Sequence, residues 1–132
     1  MASCKNMIVH CMDFRIQPAI EKWLDEKGYA GDTDRISFAG SCEEKDLVMR
    51  MVDLSCRIHG TEHIILTMHE DCGAYGGSAA FESPELERDT LVADMMKVRR
   101  LVRNKHPKVA VTTIWIIRHD DTWKLVEVQP EE

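Results

Sequence analysis

The chain has 132 residues, 44% of them hydrophobic and 30% charged, and its 17 basic against 23 acidic residues leave a net charge of −6. That balance argues against a nucleic-acid backbone as partner, and no apolar run approaches the roughly 20 residues needed to cross a bilayer. With no linker-like, repetitive or low-complexity stretch, residues 1–132 are expected to form a single domain large enough to bury its own core.

The opening stretch "MASCKNMIVHC" enters an apolar, β-forming run at once and carries no signal-peptide pattern, so a soluble cytoplasmic protein is expected. Residues 5–11 read as the first strand, ending at Cys11. Residues 17–28 read as a helix, with Pro18 early, Gly28 closing it and Ile20, Trp23 and Leu24 on one face. A second strand is expected over 34–40, leaving through Gly40. A helix follows over 43–60, in which Leu47, Met51, Leu54 and Ile58 recur at helical spacing. The run "HIILTM" makes a third strand over 62–68. The segment 83–107 is a long helix with Ser83 as cap, Pro84 in the first turn and basic residues at its end. A fourth strand, 108–119, turns through "HDDT" into a fifth, 123–128. Strands alternating with helices imply an α/β fold: a mostly parallel open sheet of about five strands flanked by helices, with an antiparallel C-terminal hairpin strand.

The third strand ends in "HEDCGAYGG", His69 to Gly77, far more chemistry than a turn requires. In an open parallel sheet, ligands sit beyond the carboxyl ends of strands where the strand order reverses. The first strand ends there in "CMDFR" and the third in "HEDC". If those strands are neighbours, Cys11, His69 and Cys72 converge. Two thiolates and one imidazole make a Cys₂His zinc set with a fourth position open. The five cysteines are odd in number and irregularly spaced, which suits thiols, metal ligands or core residues better than a disulfide framework. Taken singly, a strand-end histidine is an ordinary hydrogen-bonded residue and a buried cysteine a small hydrophobe. Cys42, after the second strand, is the residue that would close the metal site into a structural one. Alternation points His10 away from Cys11. Asp13 and Arg15, two apart beyond Cys11, form a pair of no consequence on an ordinary surface. Beside an open metal, Asp13 would either ligate it or accept a hydrogen bond from water there, and Arg15 forking onto Asp13 would hold the carboxylate off.

C-x-D-x-R after the first strand and H-x-x-C-G after the third resemble the signature of the β-class carbonic anhydrases. "SFAGS" (37–41) stands where that family carries R-N-A-G-N, and the closing strand pair also fits. Ser37 and Phe38 replace the Arg and first Asn of that segment, and the first strand begins near residue 5, ahead of which the family carries a helical arm. The resemblance covers nearly the whole chain. It implies a zinc lyase interconverting CO₂ and bicarbonate by zinc-hydroxide attack, usually a homodimer with active sites near the subunit interface. It further implies Cys11, His69 and Cys72 as Zn²⁺ ligands and Asp13 and Arg15 as the catalytic dyad. Ala39, Gly40, Gly73 and Tyr75 are candidates for the substrate pocket, with Phe81 as a further apolar-wall candidate. Gly73, Gly76 and Gly77 would allow a tight turn and leave room for a small substrate. Two thiolates offset the formal zinc charge, so activity is expected to favour mildly alkaline pH. His10, His59 and His63 are candidate proton acceptors. Two other readings stand beside this one: a related zinc hydrolase of CS₂ or COS, and a zinc-stabilised binding or regulatory domain without turnover.

Overall fold

A computed structural model describes residues 2–130. It contains five strands, β1 (Asn6–Cys11), β2 (Thr33–Phe38), β3 (His63–His69), β4 (Ala110–His119) and β5 (Thr122–Glu127), and three α-helices, α1 (Gln17–Lys27), α2 (Lys45–His59) and α3 (Pro84–Lys105). Short 3₁₀ turns at Phe14–Ile16, Ser41–Glu43, Gly73–Tyr75 and Ser78–Ala80 fill the loops beyond β1, β2 and β3. The expected α/β fold is the one observed. The sheet order is β2-β1-β3-β4-β5, parallel throughout except for the antiparallel β4–β5 pair.

Local chemistry explains where the elements start and stop. Pro18 sits in the first turn of α1, where a missing N–H costs nothing, and Gly28 ends the helix in the left-handed region at φ 74°. Ser83 caps α3 by accepting from the Leu86 N–H at 3.1 Å, and Glu85 and Glu87 occupy the first turn, Arg103 and Lys105 the last. Asp120 turns the β4–β5 hairpin at φ 55°.

The strand order reverses at β1. The chain leaves β1 for β2 on one side and β2 for β3 on the other, so right-handed crossovers put α1 on one face and α2 with α3 on the opposite face. The core is one cluster centred on β1 and β3, whose Met7, Ile8, Val9, Ile64, Ile65 and Leu66 are fully buried. Such double-faced burial is why these strands read as continuous apolar runs rather than alternating ones. From α3, Leu91, Met95, Val98 and Val102 pack onto the sheet.

One helix face differs from expectation. In α2 the buried positions are Val48, Val52 and Ser55, whereas Leu47 and Leu54 face outward and Met51 and Ile58 are half-buried. Both sets keep helical spacing, so periodicity alone does not choose between them. The larger side chains suggested the wrong stripe, and β-branched Val48 and Val52 fit the close approach to the sheet. Accordingly, Ile65→Ala in the centre of β3 should lower unfolding free energy by about 2–5 kcal/mol, while Leu47→Ala should change it by less than about 0.5 kcal/mol in urea titrations. Equal losses at the two positions would restore the Leu47 face to the core.

Candidate metal centre

Where β1 and β3 part, their backbones stop pairing and side chains take over. The last paired residues are Val9 and Leu66. One residue on, the Thr67 hydroxyl donates to the Val9 carbonyl at 2.8 Å, and Ser41 donates to the Thr67 carbonyl at 2.7 Å. The crevice that opens beyond them receives Cys11 from β1 and His69 and Cys72 from the end of β3. Their ligand atoms all lie within 4.8 Å of one another, and all three residues are buried. The two sulfurs are 4.0 Å apart.

The orientation of these donors suits a cation. The Glu70 carbonyl, which can only accept, lies 2.7 Å from His69 Nδ1, so the N–H sits on Nδ1 and the lone pair on Nε2. That Nε2 is buried and has no hydrogen-bond partner. An orphaned imidazole nitrogen beside two sulfurs is the arrangement a thiophilic cation satisfies. The Cys72 S–H lowers the Cys11 thiol well below its ordinary value, with burial opposing, His69 assisting and backbone N–H groups of Gly40 and Asp13 adding to the effect. The thiolate so formed pushes Cys72 upward, which burial reinforces; N–H groups of Ala74 and Tyr75 act the other way. A divalent cation removes the conflict by accepting both sulfurs as thiolates. The residues therefore fit zinc.

Gly40 belongs to this construction through its backbone. At φ 83° it lies in the left-handed region, and a Cβ there would sit 3.1 Å from the Ala74 Cβ, between the two cysteine-bearing loops.

Asp13 stands at the rim, its Oδ2 3.9 Å from His69 Nε2. Arg15 grips the same carboxylate: Nη2 donates to Oδ2 at 2.7 Å, Nε donates to Oδ1 at 3.1 Å, and the Arg15 backbone N–H donates to Oδ1 at 2.9 Å. Arg15 hydrogen bonding holds the Asp13 carboxyl below the usual carboxylate range, against a smaller effect of burial. The guanidinium also donates to the Asp71 carboxylate at 3.0 Å and to the Asp71 carbonyl at 2.9 Å, and lies 5.1 Å from the centre of the Trp123 ring. Trp123 in turn meets the His69 imidazole edge to face at 5.9 Å.

Other residues singled out in the sequence take varied places. Gly73 lines an open cleft of about 600 Å³ with Asp13, Phe14, Arg15 and Asp71. Tyr75 directs its hydroxyl to Asp94 Oδ2 at 2.7 Å. Ala39 is exposed at the end of β2, and Phe81 is half-buried against the core. Cys42 is fully buried, its thiol pushed up to about 12 by desolvation, and it stands outside the Cys11–His69–Cys72 group. His10 is buried with Nδ1 3.0 Å from the Cys11 carbonyl. His63 begins β3 between Asn6 and Thr112, and His59 pairs with Asp34; both sit at the amino end of the sheet, about 20 Å of strand from His69. Neither can take a proton directly from this crevice.

A family model described as "Putative carbonic anhydrase" matches residues 1–129. Two uncharacterised Rickettsia proteins are similar. The one from Rickettsia bellii is 25% identical over 82% of this chain and 73% of its own length. The one from Rickettsia conorii is 23% identical over 82% of this chain and 64% of its own length, so the chain spans less than two thirds of that relative. Among solved structures, the carbonic anhydrase from Glaciozyma antarctica superposes with a TM-score of 0.68 at 20% identity, covering 96% of this chain and 83% of that one. The carbonic anhydrase from Streptococcus mutans gives 0.64 at 21% identity, covering 95% and 82%. The β-carbonic anhydrase isoform I from Trichomonas vaginalis gives 0.61 at 19% identity, covering 96% and 84%.

Sequence reasoning passed over Asp71, Glu87 and Trp123. Asp71 lies within the His69–Cys72 segment at φ 61°, a conformation tolerated by Asp but uncommon for other side chains. Its Oδ1 accepts from the Ser78 N–H at 2.8 Å while Oδ2 receives Arg15. Glu87, buried in the first turn of α3, accepts from the Asp71 N–H at 2.8 Å and from the Ser78 hydroxyl at 2.9 Å. An acid in the first turn of a helix reads as a dipole partner, and only the tertiary fold turns it inward to brace the loop that follows His69. Glu87→Gln keeps an acceptor for Asp71 and should cost less than about 1 kcal/mol in chemical denaturation. Glu87→Leu strands two half-buried donors and should cost about 1–3 kcal/mol. Indistinguishable unfolding midpoints for the two variants would remove Glu87 from this role.

Proposed function

The chain belongs to the carbonic anhydrase family, and from that membership we propose that it interconverts CO₂ and bicarbonate with a zinc ion held by Cys11, His69 and Cys72. The observation that carries this reading is the unpartnered, buried Nε2 of His69 facing two cysteine sulfurs in one group of donor atoms. Zinc bound there supplies Lewis acidity that makes a water molecule nucleophilic near neutral pH.

The protein's own residues orient that water and its target. Asp13 is an acceptor and not an acid at neutral pH, because Arg15 keeps it ionised. It accepts the hydrogen of the attacking water and so aims an oxygen lone pair at the carbon of CO₂. Arg15 ties Asp13 and Asp71 together with a planar fork that an ammonium does not reproduce, and so competes with the metal for the Asp13 carboxylate. Gly73, Gly76 and Gly77 form the wall of the cleft and leave space for a linear triatomic substrate. Phe14, 81% exposed beside Asp13, gives the mouth an apolar rim, and a homodimer covering it belongs to the same proposal.

Arg15→Ala should retain zinc and lower CO₂ hydration by about 10–100-fold, the usual cost of losing a partner that orients a metal site. Arg15→Lys should recover only part of the loss. Stopped-flow CO₂ hydration with parallel metal analysis measures both. Full activity in Arg15→Ala would sink the dyad's role. A zinc-loaded wild-type protein inert to CO₂ but turning over CS₂ or COS would favour the hydrolase reading, and one inert to all three the binding domain.

A further inference from the structure

The amino end of the sheet carries a second group of metal-ligating side chains, remote from the crevice and unused by the reaction proposed above. Cys4, Asp34 and His59 place a thiol sulfur, a carboxylate oxygen and an imidazole nitrogen within 4.8 Å of one another. The three come from separate segments. Cys4 precedes β1, Asp34 is the second residue of β2, and His59 is the last residue of α2. Backbone bonding brings them together: the Cys4 N–H donates to the His59 carbonyl at 3.1 Å, and β1 pairs with β2 so that Met7 stands opposite Asp34.

All three side chains are half-buried at a cleft of about 210 Å³ that Cys4, Gly31, Asp34 and His59 help to line. Hydrogen bonds already order the group. His59 Nδ1 lies 2.7 Å from Asp34 Oδ2, the same oxygen that accepts from the Ser55 hydroxyl at 2.7 Å. Ser55 is 2.6 Å from the Thr61 hydroxyl oxygen, which lies 3.7 Å from Cys4 Sγ, so one small buried network reaches both the carboxylate and the thiol. Burial alone would raise the Asp34 carboxyl, but hydrogen bonds from His59 and Ser55 outweigh it and keep the group ionised.

An Asp–His hydrogen bond joining a helix end to a strand is complete with two partners. A thiol as third member, in a cleft with room for water, goes beyond that need. We propose that Cys4, Asp34 and His59 form a second metal site, selective for zinc-class cations, that clamps the segment before β1 to the end of α2. A sulfur, a nitrogen and an oxygen donor suit zinc or cobalt rather than magnesium or calcium. On binding, the Cys4 thiol proton leaves to solvent, and thiolate with carboxylate then balance the dication. Water from the cleft completes the tetrahedron.

Equilibrium dialysis of the full chain against zinc, with circular dichroism to verify folding, tests this directly. The wild type should bind about two zinc ions per chain, and Cys4→Ser and His59→Gln about one each, one being the number per three-ligand site. The double substitution Cys11→Ser with Cys72→Ser, which removes the crevice ligands, should keep about one. In that background, cobalt should produce thiolate-to-metal absorption in the near ultraviolet that a further Cys4→Ser abolishes. A wild type saturating at a single zinc, untouched by Cys4→Ser and lost in the double variant, overturns the second site while leaving the crevice reading intact. A single zinc that survives the double variant but not Cys4→Ser does the reverse.

Discussion

Parallel pairing of β1 with β3 is the constraint on which the rest of the molecule depends. Those strands are sixty residues apart in sequence by roughly the count from Cys11 to Cys72, yet their pairing in register from Asn6–His63 to Val9–Leu66 brings their carboxyl ends side by side. Because the chain departs from β1 and from β3 towards opposite faces, a crevice opens between their carboxyl ends. The Thr67 hydroxyl on the Val9 carbonyl and the Ser41 hydroxyl on the Thr67 carbonyl then satisfy backbone groups that the parting strands would leave bare. The crevice is therefore a stable feature of the sheet.

Burying two thiols and an imidazole in that crevice carries a penalty that the surrounding backbone reduces but does not abolish. N–H groups from the loops after β1, β2 and β3 favour anionic sulfur at Cys11 and Cys72, while the Cys11 thiolate, stabilised by the Cys72 S–H, opposes ionisation of Cys72. His69 is fixed in one tautomer by Glu70 and left with an unmet lone pair. Cys11 and Cys72 belong to the apolar core, which runs on from them through β1, β3, β4 and the inner faces of the helices. Most of that core lies away from the crevice, which is how a fold of this size tolerates an unsatisfied polar pocket.

Arg15 links the layers around the crevice. Its guanidinium meets Asp13 from its own loop, both the carboxylate and carbonyl of Asp71 from the β3 loop, and the Trp123 ring from β5. Glu87 extends the network to α3 through Asp71 and Ser78. The edge strand and the long helix, both distant in sequence from Asp13, therefore help to set its position. Arginine suits such a hub because its five donors lie in one plane and serve several acceptors at once.

Element types, their order and the open parallel sheet follow from local pattern: apolar runs of strand length, Pro18 and Gly28, Ser83 and Pro84, and the "HDDT" turn. The C-x-D-x-R and H-x-x-C-G segments were equally legible, because the residues of each lie close together at a strand end and local spacing constrains where they can point. Three matters were decided only by the tertiary structure. The buried stripe of α2 is Val48, Val52 and Ser55, since two stripes shared one periodicity and contact with the sheet selected the narrower. Glu87 and Trp123 joined the site because α3 and β5 pack over it, and no local signal distinguishes an inward-turned helix-start acid from a solvated one. Cys4, Asp34 and His59 likewise met only through the β1–β2 register and the end of α2. Local sequence specifies what a segment can do with its immediate neighbours; which distant side chains share a space depends on strand register and helix placement, and these come from burial summed over the whole chain.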